Sequence, residues 1–262
     1  RLIGTGAEDF PELPEPDTSS HFAIETATFS TLIEQTIFCV SHDDTRHHLG
    51  GVYCEAADGQ TLRMVSTDGH RLALSESNLN EHVHIENPVI VPRKAFHEVK
   101  RLLADAGATV EVAFTARSFH LKTDTFELST RLIEGKFPEY NQVIPVSASK
   151  EVPLNRGLFA EALKRVSLLS QGRAWGVKLE IQNEQVEFIA EDPEFGTAKE
   201  VIEIPYKGEP LTIGFNAKYL LDVLGLIQTD DVVFQLTDDL SPGVLRPLDK
   251  KDFLAVVMPV RI

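Results

Sequence analysis

Hydrophobic positions along the chain switch between two periods, and the switches recur. Phe29, Leu32, Ile33, Ile37 and Val40 follow the three-and-four spacing of one helix face, which predicts a helix over 28–40. An extended stretch from His21 precedes it. Residues 52–55, 62–66 and 71–75 read as strands, joined through Asp58-Gly59 and then Asp68-Gly69, dipeptides that suit tight turns. A strand at 89–91 is stopped by Pro92, a second helix follows over 93–104, and strands are expected at 110–114, 119–123 and 126–132. The order then replays. Val152-Pro153-Leu154 leads into a helix over 156–170, followed by strands at 176–182, 185–190, 198–204 and 211–215. Asn216 is a plausible N-cap for a fourth helix ending near 227, and strands at 232–236, 243–245 and 254–258 finish the chain.

Strand, helix, several strands is thus taken four times, with helices at roughly 60-residue intervals, a period that signals repeated supersecondary modules. Two modules make one domain, with a break near 145–150, where Ser147-Ala148-Ser149 reads as a linker. Strands arriving in hairpin-linked groups predict an α+β architecture of two similar domains, each with two helices packed on antiparallel sheets. Arg131-Leu132-Ile133 followed by Phe137-Pro138-Glu139 echoes Arg1-Leu2-Ile3 followed by Phe10-Pro11-Glu12. The chain is therefore expected to open at the close of an earlier module, with Pro14-Glu15-Pro16-Asp17 as a linker. The expected organisation is 1–19 as that end and linker, 20–147 as one domain and 148–262 as the next.

The 262 residues, 42% of them hydrophobic, can bury sizeable cores. No apolar run has membrane-spanning length and no signal-peptide pattern opens the sequence. Cys39 and Cys54 make neither a disulfide framework nor a zinc site, which points to a reducing cytoplasm. The net charge of −15 argues against a surface coated with nucleic acid. The cations, however, are uneven. The second helix carries Arg93, Lys94, Lys100 and Arg101, with Lys94, His97 and Arg101 on one face. The third and its exit carry Arg156, Lys164, Arg165 and Arg173, while the strands from 180 to 209 are acidic. Helices on one side and strands on the other would give a basic inner wall, suited to non-sequence-specific phosphate contact along duplex DNA. Solvated helix faces account for the same charges, and the first helix, with Glu34 and no Lys or Arg, runs against the wall.

No Gly-rich phosphate loop, G-x-S-x-G elbow or H-E-x-x-H pair is present. Asp68 beside His70 reads as a turn former, with Thr67 and Asp68 free to satisfy backbone donors there. His42, His47 and His48 with Asp43 or Asp44 match no accepted metal spacing, so no metal and no cofactor is expected. The cysteines read as buried small apolar residues. Two other readings stay open on the residues alone: an acidic two-domain hydrolase using His70 or the His47-His48 loop, and an interaction scaffold without DNA.

The stretch Val256-Val257-Met258-Pro259-Val260-Arg261-Ile262 is apolar where termini are usually polar, so it must be buried or line a groove. Together with Thr67-Asp68-Gly69-His70-Arg71-Leu72, Val91-Pro92-Arg93-Lys94, Gly135-Lys136-Phe137-Pro138-Glu139-Tyr140 and Ile213-Gly214-Phe215-Asn216, it resembles the bacterial DNA sliding clamp, the beta subunit of DNA polymerase III. The resemblance covers the second and third domains of that family and implies the DNA clamp fold. It implies a non-catalytic processivity factor that encircles duplex DNA as a head-to-tail homodimeric ring when full length. It also implies that DNA polymerases and the clamp loader dock short linear motifs in a pocket. The pocket positions here would be Leu49, Thr67, Gly69, His70, Arg71, Leu72, Pro138, Val143, Leu240, Pro242 and Val256 to Ile262, that is Val256, Val257, Met258, Pro259, Val260, Arg261 and Ile262. His70, Arg71 and Arg261 would hydrogen-bond the peptide. Gln142, where many members have arginine, and Pro242, where a small polar residue is common, depart from the family pattern. Arg46, His47, His48, Arg93, Lys94 and Arg173 would face DNA. Leu168 and Leu169 would form the subunit contact, against a first domain that this sequence lacks, so the chain alone is not expected to close a ring.

Overall fold

The computed structural model describes residues 4, 6–9, 21–145, 147–170 and 175–261. Arg1 to Ile3, Phe10-Pro11-Glu12, the Pro14-Asp17 linker, Arg173 and Ile262 lie outside them. The first half runs β1 (His21–Glu25), α1 (Thr26–Ile37), β2 (Gly51–Ala56), β3 (Thr61–Thr67), β4 (Arg71–Asn78), β5 (Val89–Pro92), α2 (Arg93–Leu103), β6 (Thr109–Phe114), β7 (Ser118–Lys122) and β8 (Glu127–Arg131). The second runs β9 (Lys150–Asn155), α3 (Arg156–Ser167), β10 (Gly176–Gln182), β11 (Gln185–Asp192), β12 (Gly196–Glu203), β13 (Leu211–Asn216), α4 (Ala217–Leu224), β14 (Asp231–Leu236), β15 (Gly243–Pro247) and β16 (Phe253–Val257). All strand pairings are antiparallel. The α+β expectation and the four-module order therefore hold.

Helix ends account for the differences in boundaries. The α3 pattern was expected to reach 170, but Leu168, Leu169 and Ser170 donate to the carbonyls three residues back, so the last turn tightens out of α geometry. Asn216 does cap α4: its Oδ1 accepts from the amides of Lys218 (2.9 Å) and Tyr219 (3.3 Å). That helix ends at Leu224, before Gly225, short of the expected 227.

What sequence order does not reveal is that modules exchange strands. In the first half β1 leaves its own module to edge the sheet β1-β6-β7-β8, and β5 crosses the other way to edge β2-β3-β4. The second half does the same, giving β13-β10-β11-β12 and β9-β14-β15-β16. One sheet from each half then fuses. β4 pairs with β16, Leu72 opposite Val256 and Arg71 opposite Val257, so the sheet becomes eight-stranded, β5-β2-β3-β4-β16-β15-β14-β9.

Each half buries its own core between helices and sheets. Phe29, Phe96 and Phe119 anchor the first, Phe159, Phe188, Phe215 and Phe234 the second. The second core also takes Cys39 and Ala73 from the first half. A third, smaller cluster lies along the fused sheet, with Leu49, Leu72, Leu74, Phe137, Tyr140, Val244 and Val256. Alternation along β16 explains the split: Ala255 and Val257 belong to the second core, Leu254 and Val256 to the third cluster.

Candidate interaction site at the seam of the fused sheet

The turn between β3 and β4 is built by its own side chains. Asp68 Oδ1 accepts from the amides of His70 (2.9 Å) and Arg71 (3.0 Å), and Thr67 Oγ1 accepts from the Gly69 amide while donating to the Arg71 carbonyl. Gly69 has φ of +90°, a conformation that costs other residues strain, and a Cβ there would stand 2.9 Å from Arg46 Nη1. These contacts give Asp68 and Thr67 the turn-forming roles the sequence suggests.

The turn is then keyed into the second half. Arg71 Nε meets Asp68 Oδ2 at 3.0 Å, Nη1 meets Asp222 Oδ2 on α4 at 2.6 Å, and Nη2 donates to the Phe38 carbonyl at 2.9 Å. The guanidinium stacks 4.5 Å from the Tyr219 ring centre and 5.3 Å from that of Phe38. Its side chain is only 11% exposed. Three of its five N–H donors are engaged by Asp68, Asp222 and Phe38, because the fused sheet carries the guanidinium into the gap between the halves. Beneath it, Cys39 is fully buried, and burial pushes its thiol well above the usual range despite the pull of Arg71.

The C-terminal stretch lies beside this turn. The Met258 amide donates to the His70 carbonyl (2.9 Å) and the Val260 amide to the Gly214 carbonyl (2.9 Å), so residues after β16 track across from one half to the other. Val256 and Val257 are buried, Met258, Pro259 and Val260 half-buried, Arg261 exposed. Leu49 and Leu72 are buried in the third cluster beside Val256, forming floor and not wall. Exposed His70 stacks towards Tyr219, ring centres 6.5 Å apart. Pro242 precedes Gly243, which pairs with Val257, and the nearby Leu240 is 69% exposed. Pro138 and Val143 are exposed on either side of Tyr140, which packs in the third cluster, and Gln142 is exposed with them. Tyr219, Asp222 and Phe38 were not among the sequence candidates. Asp222 and Tyr219 sit far along the chain from Arg71, and only the N-cap at Asn216 gave a signal that this helix starts nearby.

The other sequence candidates fall into two groups. Arg46, His47 and His48 lie in a short 3-10 turn region that meets the start of α2: the Arg93 amide donates to the Gly50 carbonyl (3.2 Å), and the Arg93 guanidinium contacts the His42 ring. Arg46 pairs with Asp43 at 3.0 Å, and Lys94 is exposed at the same helix start. The helix cations further along are largely neutralised, Lys100 by Glu34, Arg101 by Glu98, and Arg165 by Glu161 and Glu200. Leu168 is 66% exposed, whereas Leu169 packs against the second core.

Two repeated halves share one sheet, with a side-chain-built turn and an apolar terminus at the seam, and this arrangement is that of the DNA clamp fold found in the relatives that follow. A model of the DNA polymerase III beta subunit central domain matches residues 23–139, and one of its C-terminal domain matches 141–261. The beta sliding clamp of Caulobacter vibrioides is 38% identical over 260 residues, covering 98% of this chain and 70% of that protein. That of Pseudomonas aeruginosa is 37% identical over 256 residues, with the same coverage. The crystal structure of the DNA polymerase III beta subunit from Pseudomonas aeruginosa superposes with a TM-score of 0.92 at 36% identity, over 98% of this chain and 70% of that one. The chain belongs to the DNA polymerase III beta subunit family, the beta sliding clamps, and its function is that of a processivity clamp. Neither the hydrolase nor the scaffold reading finds support among these relatives.

Proposed function

We propose that the seam is a docking pocket for short linear motifs, through which DNA polymerases and the clamp loader are held on a ring that encircles duplex DNA. The ring is a head-to-tail homodimer of the whole protein, working in the cytoplasm, and the chain itself supplies binding rather than catalysis. Within the chain, 20–147 and 148–262 act as the two clamp domains. The observation that carries this reading is the adjacency of Thr67–Leu72 and Val256–Arg261, 184 residues apart at their closest numbering, made neighbours by the β4·β16 pairing. Thr67, Gly69, His70, Leu72, Pro138, Val143, Leu240, Pro242 and the residues from Val256 onward would line or floor the pocket, with Leu49 beneath. Exposed Leu240 and Val143 offer apolar anchoring, and a few such anchors carry most of a peptide's affinity. Arg71 holds the pocket in shape, and His70, Arg261 and the two further N–H groups of Arg71 would be the donors for a peptide. Arg46, His47, His48, Arg93 and Lys94 would meet the phosphates, with the exposed Leu168 at the subunit contact.

The test is fluorescence anisotropy with a labelled peptide carrying a glutamine, a leucine and a terminal Leu-Phe pair. Saturable micromolar binding is expected, lost when Met258 to Ile262 are deleted while circular dichroism shows the fold intact. A well-folded chain that ignores the peptide would make the terminus a seal between the halves.

A further inference from the structure

A row of charged side chains crosses β2, β3 and β4 on the face of the fused sheet that carries the third cluster. Glu55 stands opposite Arg63, and Arg63 opposite Glu76. Arg63 Nε meets Glu76 Oε2 at 2.7 Å, and Nη1 meets Glu55 Oε1 at 3.3 Å. On an open sheet face such cross-strand ion pairs are ordinary. This row is covered. The connection between the halves passes over it, and Tyr140, buried in the third cluster, reaches down to it. The Tyr140 hydroxyl donates to Glu55 Oε1 (2.5 Å) and accepts from Arg63 Nη1 (3.2 Å). Glu55 Oε2 takes a second hydroxyl, that of Tyr53 (3.3 Å). The Tyr53 ring in turn stacks on Phe137, centres 4.8 Å apart, and meets Tyr140 edge-on at 5.9 Å. Burial, and then the Glu55 carboxylate, raise the Tyr140 phenol above its ordinary range, so it keeps the proton it donates.

Arg63 and Thr67 are four residues apart on β3, about 13 Å along an extended strand, so the row lies well away from the turn at the seam. Its influence runs through the connection instead. The Gln142 amide donates to the Glu139 carbonyl (3.1 Å) and the Val143 amide to the Tyr140 carbonyl (3.0 Å), which makes a single 3-10 turn. Val143 therefore moves with Tyr140. Pro138 is the residue after Phe137 and two before Tyr140, and both of those rings are packed on Tyr53. An aromatic ring alone can slide and rotate over an apolar cluster. Two directional hydrogen bonds at its tip fix its depth and its angle.

We propose that Glu55 and Arg63 are positioning residues of the docking pocket: they clasp Tyr140, and through its 3-10 turn they set where Pro138 and Val143 meet an apolar anchor of the peptide. This rests on the docking reading of the seam. Glu55 is the hub, since each of its carboxylate oxygens takes one tyrosine hydroxyl and Oε1 also takes Arg63. Glu76 holds the other side of the guanidinium and so fixes the angle from which Arg63 meets Tyr140. The clasp touches no peptide. It acts on affinity by keeping one wall of the pocket preformed, which spares the peptide the cost of ordering it.

Anisotropy with the same labelled peptide on the 262-residue chain tests it, with urea unfolding run on every variant. Tyr140→Phe keeps the ring and removes only the hydroxyl, and affinity should fall about fivefold. Glu55→Ala should weaken binding about tenfold, and Glu55→Gln, which can still accept from both tyrosines, by less. A double variant, Pro138→Ala with Val143→Ala, weakens binding by itself, and adding Tyr140→Phe to it should change affinity no further, because the clasp acts through those two residues. In a Leu240→Ala background, which alters the pocket from the second half, the loss caused by Tyr140→Phe should persist in full. A clasp that only held the halves together would shift the unfolding curve and leave these affinity differences unmoved. Binding that ignores Tyr140→Phe, or a full loss retained in the double-alanine background, would overturn the proposal while leaving the pocket standing. No binding by the unaltered chain would bring down the docking reading, and this one with it.

Discussion

Two turns of the first half begin as near copies and end with different jobs. At Asp58-Gly59, Asp58 Oδ1 accepts from the amides of Gln60 (3.1 Å) and Thr61 (2.8 Å), and Gly59 has φ of +79°. At Asp68-Gly69 the same oxygen takes the same two amides, and Gly69 has φ of +90°. The Asp58 turn stays within its own half, its Gly59 carbonyl accepting from the Val83 amide (2.9 Å). In the other, the second carboxylate oxygen binds Arg71, and Arg71 reaches Asp222 across the seam. Local turn chemistry therefore says where the chain reverses, and the residue that follows decides whether the reversal becomes part of an interface.

Removing that residue should break the contrast most. Arg71→Ala leaves Asp68, Asp222 and the Phe38 carbonyl without their donor. Urea unfolding should show a loss of about 2–4 kcal/mol, and anisotropy a loss of peptide binding of tenfold or more. Unchanged affinity in a destabilised protein would mean that the clasp holds the halves without shaping the pocket. Asp222→Asn keeps the shape and removes one charge from the far side of the seam. We expect a cost of about 1–2 kcal/mol and a smaller, severalfold drop in affinity.

Alanine at the two glycines sharpens the comparison further. Gly69→Ala must bear a left-handed backbone and crowd Arg46, costing about 1–2 kcal/mol, and Gly59→Ala about 1 kcal/mol. Only the first should alter peptide affinity; equal effects on binding would erase the distinction between the turns. The smallest effect lies in acid. The Thr61 hydroxyl, with the amides of Gln60 and Thr61, holds the Asp58 carboxyl below the usual carboxylate range. A lowered folded value means that its stabilisation is present above that range and lost as pH falls through the folded value. Asp58→Asn should therefore flatten the acid limb of the stability curve slightly, with peptide binding at neutral pH unaffected.

The sequence carried the element order because each helix face and strand alternation is local. Phe29, Leu32 and Ile33 do line the first core, and Asn216 does cap its helix. Strand exchange was not legible, because β1 meets β6 some 85 residues later and nothing in either strand names the other. The same limit hid Asp222 and Tyr219 from the candidate site. Resemblance to a family placed the terminus beside the turn, but it said nothing of the three partners that hold Arg71 at the seam. Leu168 and Leu169 look interchangeable in sequence, and only packing separates the outward one from the inward one. The basic wall was read from helix cations whose acidic neighbours, Glu34 and Glu200, come from other elements.

The strand exchange also sets how the molecule can come apart. A module released from its twin takes away one edge of the other's sheet and half the cover of a shared core, so no single module is a stable fragment. Opening must involve a whole half at once, and β1 and β6 should lose amide protection together although the chain between them is long. Folding inherits the same demand: the first strand of each half must wait for a partner from the second module of that half, β6 for β1 and β14 for β9, and such non-local pairing slows folding and leaves the waiting strand exposed while the chain is being made.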